Sequence, residues 1–221
     1  MKPDVEALRA QQAVEEVSAE TIVEDAIDND CQSISYTYTE PTVFFEYAYD
    51  ISRLSRKKGL KNVFVTNGYM TGEALEIITP YLDAVNVDLK FFSNESYQKN
   101  CGGQLKPVLD SIEYMHSRGI WVEITTLVVP GENDSQNELS EISRWIAHVS
   151  SDIPWHVSRF YPQYEMSDRN PTDSASLEMA LECGKKAGLR YVYPGNVIGF
   201  SEDTACPQCQ NVFQPEEMAA V

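Results

Sequence analysis

Positive charge is scarce in this chain. Its 221 residues carry 17 Lys and Arg against 34 Asp and Glu, a formal net charge of −17 at pH 7. A surface of that sign repels phosphate backbones and anionic headgroups, which argues against nucleic-acid and membrane partners. Histidine is scarcer still. His116, His148 and His156 stand too far apart in sequence to suggest a multi-His metal centre. No run of ~18 apolar residues occurs, and no apolar secretory segment opens the chain. The first thirty residues instead hold nine acidic side chains against Lys2 and Arg9. A cytoplasmic location is therefore expected. Cysteines are few and dispersed: Cys31, Cys101, Cys183, Cys206 and Cys209 are separated by 70, 82, 23 and 3 positions. An odd, scattered set in a reducing compartment does not make a disulfide framework.

What is abundant is apolar sequence, 43% of residues, enough for one large α/β core. Residues 1–17 are charged and weakly patterned and read as a lead-in segment. From Ser18 helix and strand alternate. Strands are expected at 31–37, 62–66, 84–89, 121–129, 155–160 and 191–194. Between them, helices are expected at 42–58, 71–79, 105–118, 135–149 and 173–187, after a first one at 18–29. Helix 42–58 carries Val43, Phe44, Tyr47, Ile51 and Leu54 at the spacing of one buried face. Ser135 and Glu138 have the spacing of a capping box. Strands joined by crossover helices imply a parallel sheet built from right-handed βαβ units. Six strands are fewer than the eight of a closed barrel. The unit is expected over 18–199, and 200–221 reads as an extended tail.

Short polar motifs punctuate the strand ends, where (β/α) barrels build their ligand-binding mouth. Glu40, between Thr39 and Pro41, either caps the following helix or meets a ligand ammonium group. Thr66-Asn67-Gly68 is a tight turn whose hydroxyl and amide could also bind ribose hydroxyls. Asp88 and Lys90 share one face of their strand. Two charges ending a buried strand suggest a role beyond an internal ion pair, such as carboxylate binding or a Schiff base on Lys90. His156 and Ser158 share a face opposite Val157 and Arg159, and Arg159 can meet an anion. Thr125 and Thr126 also suit a strand simply as β-branched residues. Cys206-Pro-Gln-Cys209 is half of a zinc knuckle, and a structural zinc needs four ligands.

Taken in order, these motifs resemble a known family. Cys31-Gln-Ser-Ile-Ser-Tyr-Thr-Tyr-Thr-Glu-Pro-Thr, Val65-Thr-Asn-Gly-Tyr, Val87-Asp-Leu-Lys, Cys101-Gly-Gly, Thr126-Leu-Val-Val-Pro-Gly-Glu-Asn-Asp, Pro154-Trp-His-Val-Ser-Arg-Phe and Tyr193-Pro-Gly-Asn are similar to the radical SAM protein of the AmmeMemoRadiSam system. That family is related to the pyruvate formate-lyase activating enzymes. The resemblance implies a partial (β/α)6 barrel that binds S-adenosylmethionine beside a [4Fe–4S] cluster. Electron transfer from the cluster would cleave the sulfonium to a 5′-deoxyadenosyl radical, which abstracts hydrogen from a substrate. It also implies that Thr39 and Glu40 meet the methionyl amino group and that Asp88 and Lys90 face nucleoside and substrate. The turn at Val129 would contact adenine. Thr66, Asn67, Thr125, His156 and Arg159 complete the candidate cofactor-binding set.

One family element is missing. The family's Cys-x-x-x-Cys-x-x-Cys loop, whose thiolates hold three irons, has no counterpart among the five cysteines. The expectation is a barrel lacking its first strand and cluster loop, with Met1 an internal methionine of a truncated product. A cluster-free module that keeps a nucleoside pocket is the rival reading, and a Lys90 Schiff-base lyase is a third. Cys206 and Cys209 are the candidate zinc ligands. An activating enzyme would also need a protein partner carrying the glycine to be oxidised, and no motif here identifies that substrate.

Overall fold

A computed structural model describes residues 17–197, 199, 203–206, 208, 209 and 211–213. The expected lead-in lies outside these, except Val17, whose carbonyl accepts a 2.8 Å hydrogen bond from the Tyr47 hydroxyl. The architecture is α/β, with six parallel strands in the order β1 to β6. These are β1 (Ser33–Tyr36), β2 (Lys61–Thr66), β3 (Ala84–Asp88), β4 (Trp121–Val128), β5 (Trp155–Arg159) and β6 (Val192–Gly195). The helices are α1 (Ala19–Asp28), α2 (Phe45–Lys57), α3 (Gly72–Ile78), α4 (Asn94–Cys101), α5 (Leu105–Ser117), α6 (Gln136–Val149) and α7 (Ser174–Ala187). Among the described residues, no helix is long and apolar enough to cross a membrane.

The caps explain where helices begin. Side chains of Ser18, Thr71, Ser93, Ser135 and Asp173 each accept a backbone N–H of the first turn. The capping box at Ser135 is only half made. Glu138 turns away and accepts the Phe92 N–H at 2.5 Å, tying α6 to the chain after β3. In α2 the buried face is Ala48, Ile51, Ser52 and Ser55, while Val43 and Tyr47 are exposed. The expected face holds at Ile51, with Phe44 and Leu54 packed partly buried against the core, and fails at Val43, which lies in the 3₁₀ turn Pro41–Phe44 ahead of the helix. Helix α4 is an element that the periodicity did not predict, since only Tyr97 of its eight residues is buried. The tail is not simply extended: β7 (Thr204–Ala205) and β8 (Val212–Phe213) pair as an antiparallel hairpin.

Strand alternation separates two faces. Phe64, Thr66, Val85, Val87, Val122, Ile124, Thr126, Trp155 and Val157 lie buried, and the helices cover this side. The opposite, open face presents Asn86, Asp88, Glu123, Thr125, His156 and Ser158, all partly exposed. Register places Asp88, Thr125, His156 and Tyr193 side by side in one row across four strands. Val65, Asn86 and Glu123 form the row below.

Buried polar side chains hold the strand C-termini together. Asn133 accepts the Val129 N–H at 2.6 Å and donates to the carbonyls of Lys90 (2.7 Å) and Leu127 (2.9 Å). Thr172 accepts the Phe160 N–H at 2.8 Å and donates to the Val128 carbonyl at 2.6 Å. Trp155 Nε1 donates to Thr126 Oγ1, which donates to the Leu89 carbonyl. Each of these buried donors thereby has a partner, which ties the strand ends that frame the mouth.

Candidate functional site

Glu40 is the N-cap of the 3₁₀ turn, with Pro41 in the first turn behind it. Its Oε1 accepts from Thr66 Oγ1 at 2.6 Å and from Thr42 Oγ1 at 3.2 Å. Its Oε2 accepts the Asn67 N–H at 2.7 Å. The carboxylate therefore fastens the end of β1 to the end of β2, and its side chain is engaged within the protein. Thr39 beside it is exposed. Beyond Thr66 the turn is tight. Asn67 Oδ1 accepts the Tyr69 N–H at 2.8 Å, and Gly68 has a φ of +71°. A Cβ on Gly68 would stand 2.8 Å from Val87 Cγ1, so only glycine fits between the two strand ends.

Lys90 Nζ and Asp88 Oδ2 are 2.9 Å apart, both side chains a little over one-third exposed. They face a cavity of about 460 Å³ lined also by Asn67, Tyr69, Asn100 and Cys101. Gly103 completes its wall because a Cβ there would meet the Tyr69 ring at 3.1 Å. The Tyr97 hydroxyl accepts the Lys90 N–H at 3.2 Å, and burial pushes that hydroxyl well above its ordinary pKa, so it stays neutral. Burial also raises the Cys101 thiol, against the opposing effect of Lys90. A larger hollow of about 620 Å³, lined by Arg56, Asp83 and Arg118, touches none of the motif residues.

Down the open face, Thr125 Oγ1 donates to Asn86 Oδ1 at 2.8 Å. His156 Nε2 lies 2.7 Å from Glu123 Oε2, and Trp121 Nε1 donates to Glu123 Oε1 at 2.9 Å. The hydrogen bond from His156 holds the Glu123 carboxyl below its ordinary pKa. The His156 ring stacks on Tyr193 at 5.6 Å. The structure thus unites Glu40, Thr66 and Asn67, sets Asp88 and Lys90 across one cavity from Asn67, and leads through Thr125 to His156. Two expected residues stand apart from this group. Val129 is buried. Arg159 sits on the other strand face, its guanidinium over the Tyr161 ring at 5.1 Å. Glu123 and Asn86 escaped the sequence reading. The period-2 relation of Glu123 to Thr125 was the signal that could have found Glu123.

Residues 4–142 match the Radical SAM superfamily. The chain belongs to that superfamily. It is 43% identical over 196 residues to an uncharacterized protein of Methanocaldococcus jannaschii, covering 88% of this chain and 58% of that protein. It is 27% identical over 118 residues to the pyruvate formate-lyase 1-activating enzyme of Escherichia coli strain K12, covering 50% of this chain and 48% of the enzyme. The chain therefore spans about half the length of these curated relatives. Its fold matches Streptococcus suis SuiB bound to S-adenosylmethionine, with a TM-score of 0.66 at 16% identity, over 84% of this chain and 47% of that one. The partial barrel is the fold of this radical SAM superfamily member.

The superfamily implies S-adenosylmethionine and a [4Fe–4S] cluster. The donor set at the mouth suits the first: an ammonium, a carboxylate and amides at half-exposed positions. It does not suit the second. Cys31 precedes β1, Cys101 ends α4, and Cys183 is buried in α7 against Ser140. Cys206 and Cys209 lie in the hairpin turn, where the Cys209 and Gln208 N–H groups lower the Cys206 thiol pKa. Among the described residues, no three Cys, His, Asp or Glu side chains come together to hold a metal. The described cysteines therefore do not make a three-thiolate cluster site. The Cys206 and Cys209 pair likewise finds no further zinc ligand among the described residues.

Proposed function

We propose that the strand-end mouth binds S-adenosylmethionine and serves a radical SAM enzyme of the activating-enzyme type, the radical SAM protein of the AmmeMemoRadiSam system in particular. The observation that carries this is the Asp88–Lys90 pair facing Asn67 across one cavity at the strand ends. Lys90 supplies a cation for the ligand carboxylate. Asp88 and the Asn67 amide accept and donate to ammonium or ribose hydroxyl groups. Glu40, bound to the Asn67 N–H, brings its backbone and Thr39 to the same strand ends, and Thr125 and His156 continue the polar floor toward a substrate whose hydrogen is abstracted.

Isothermal titration of S-adenosylmethionine tests this. The expected result is saturable binding that weakens at least tenfold, about 1.4 kcal/mol, in Lys90→Ala and in Asp88→Asn. No binding at millimolar ligand, or binding indifferent to both substitutions, would contradict it.

The wide separation of the cysteines supports a second reading, a cluster-free nucleoside-binding module. Anaerobic reconstitution with iron and sulfide separates the two. An iron-free chain that still binds the ligand favours the module. A broad absorption shoulder in the iron–sulfur charge-transfer region, with reductive cleavage of the ligand, removes it.

A further inference from the structure

The loop after β1 holds a bulky residue in a backbone conformation that bulky residues avoid. Tyr38 has a φ of +68°. Left-handed backbone brings Cβ too close to the following carbonyl, so glycine, asparagine and aspartate occupy it by preference. Of the three other non-glycine residues with positive φ among the described residues, Asp30 and Asn196 are of that kind; the third, Tyr164 at φ +50°, lies far along the chain in the segment after β5. The Tyr38 ring returns nothing to the fold. Its relative exposure is 103%, and among the described residues its side chain makes no hydrogen bond or ring contact.

Both ends of this short stretch are anchored. Tyr36 is buried and donates through its hydroxyl to Asn62 Oδ1 at 2.9 Å. Glu40 is fixed to Thr66 and Asn67. The chain between them is thereby forced through the strained turn, and the ring is lifted clear of the surface. Strain of this kind persists where surroundings over-determine it, and it clusters at ligand clamps. From the adjacent strand end, Tyr69 lines the cavity that holds Asp88 and Lys90. Two tyrosines therefore flank the Glu40–Asn67 junction.

We propose that Tyr38 is a ligand-contacting residue of the mouth, its ring closing over the cationic sulfonium and ammonium portion of S-adenosylmethionine. This rests on the reading of the mouth given above and adds to it a residue that the fold itself does not need. The face of an aromatic ring attracts a cation within about 6 Å of its centroid. Adenosine, which has the base and ribose but no cation, lacks that attraction.

The experiment measures thermal midpoint and the affinities for S-adenosylmethionine and adenosine in wild type, Tyr38→Gly and Tyr38→Phe. Tyr38→Gly relieves the backbone and is expected to raise Tm by about 2–4 °C. It is also expected to weaken S-adenosylmethionine about 3- to 10-fold, with no matching loss for adenosine. Tyr38→Phe keeps the ring and should behave as wild type. A Tyr38→Gly chain that is more stable and binds S-adenosylmethionine as tightly as wild type overturns the proposal and leaves Tyr38 a turn residue. So does an equal loss for both ligands. If wild type binds S-adenosylmethionine nowhere, the reading of the mouth itself has failed and this inference falls with it.

Discussion

Gly68 and Asn133 carry the geometry of the mouth although neither side chain faces a ligand. An alanine at position 68 would combine a φ of +71° with a Cβ 2.8 Å from Val87 Cγ1 and 3.2 Å from Val108 Cγ1. Gly68→Ala is expected to destabilise the chain by about 1–3 kcal/mol, read as a lowered midpoint in urea denaturation at unchanged slope. Asn133→Ala removes three hydrogen bonds from a buried position, one of them to the Lys90 carbonyl. About 2–4 kcal/mol of stability should be lost, and S-adenosylmethionine affinity should fall with it because Lys90 loses its anchor. Retained affinity in a folded Asn133→Ala chain would show that Lys90 is placed by other contacts. At this scale the sequence was half legible. The Asn-Gly turn and the Asp88–Lys90 relation followed from local rules of turn and alternation. The engagement of Glu40 by Thr66 did not, because the bond spans 26 residues. Nothing in a capping motif says which donors a distant strand will bring.

The loops around the mouth are tied to helices by one acidic side chain. Glu132 accepts from Arg169 Nη2 at 2.6 Å, Lys99 at 3.1 Å and Asn100 at 3.2 Å, linking the turn after β4 to α4 and to the segment before α7. The Arg169 guanidinium holds this carboxyl below its ordinary pKa. A carboxyl whose folded pKa is lowered adds stability above its unfolded value, about 4.3, and loses it as pH falls through the folded value. Glu132→Gln is therefore expected to lower Tm by a constant amount between pH 7 and roughly pH 5, with the difference closing below about pH 4. A gap that does not narrow at all as pH falls from 5 into the acid range would mean that packing, not charge, is what the substitution disturbs. The six strands were legible from their apolar runs between turn signals, since a parallel sheet covered by helices favours such runs. Helix α4 was not, because one buried residue in two turns leaves no periodic trace. The exposure of Val43 has a similar cause: it lies in a 3₁₀ turn ahead of α2, which a 3.6-residue template cannot register.

For the whole molecule, alternation of strand and helix sufficed to anticipate a six-stranded parallel sheet, and the family resemblance is what added the partial barrel. The polar row of Asp88, Thr125, His156 and Tyr193 was not legible, because it exists only once four strands are in register. The dispersed cysteines were visible in the sequence, and the fold does not bring three of them together among the described residues. The account's central claim is that S-adenosylmethionine occupies the strand-end mouth. Isotope-labelled chain titrated with S-adenosylmethionine and followed by backbone amide NMR tests it most directly. The expected perturbations fall on the ends of β1, β2 and β3 at Tyr38 to Thr42, Thr66 to Tyr69 and Asp88 to Lys90, and need at least tenfold more ligand in Lys90→Ala. Perturbations confined to the opposite end of the sheet around Arg56 and Arg118, or none at saturating ligand, would contradict it.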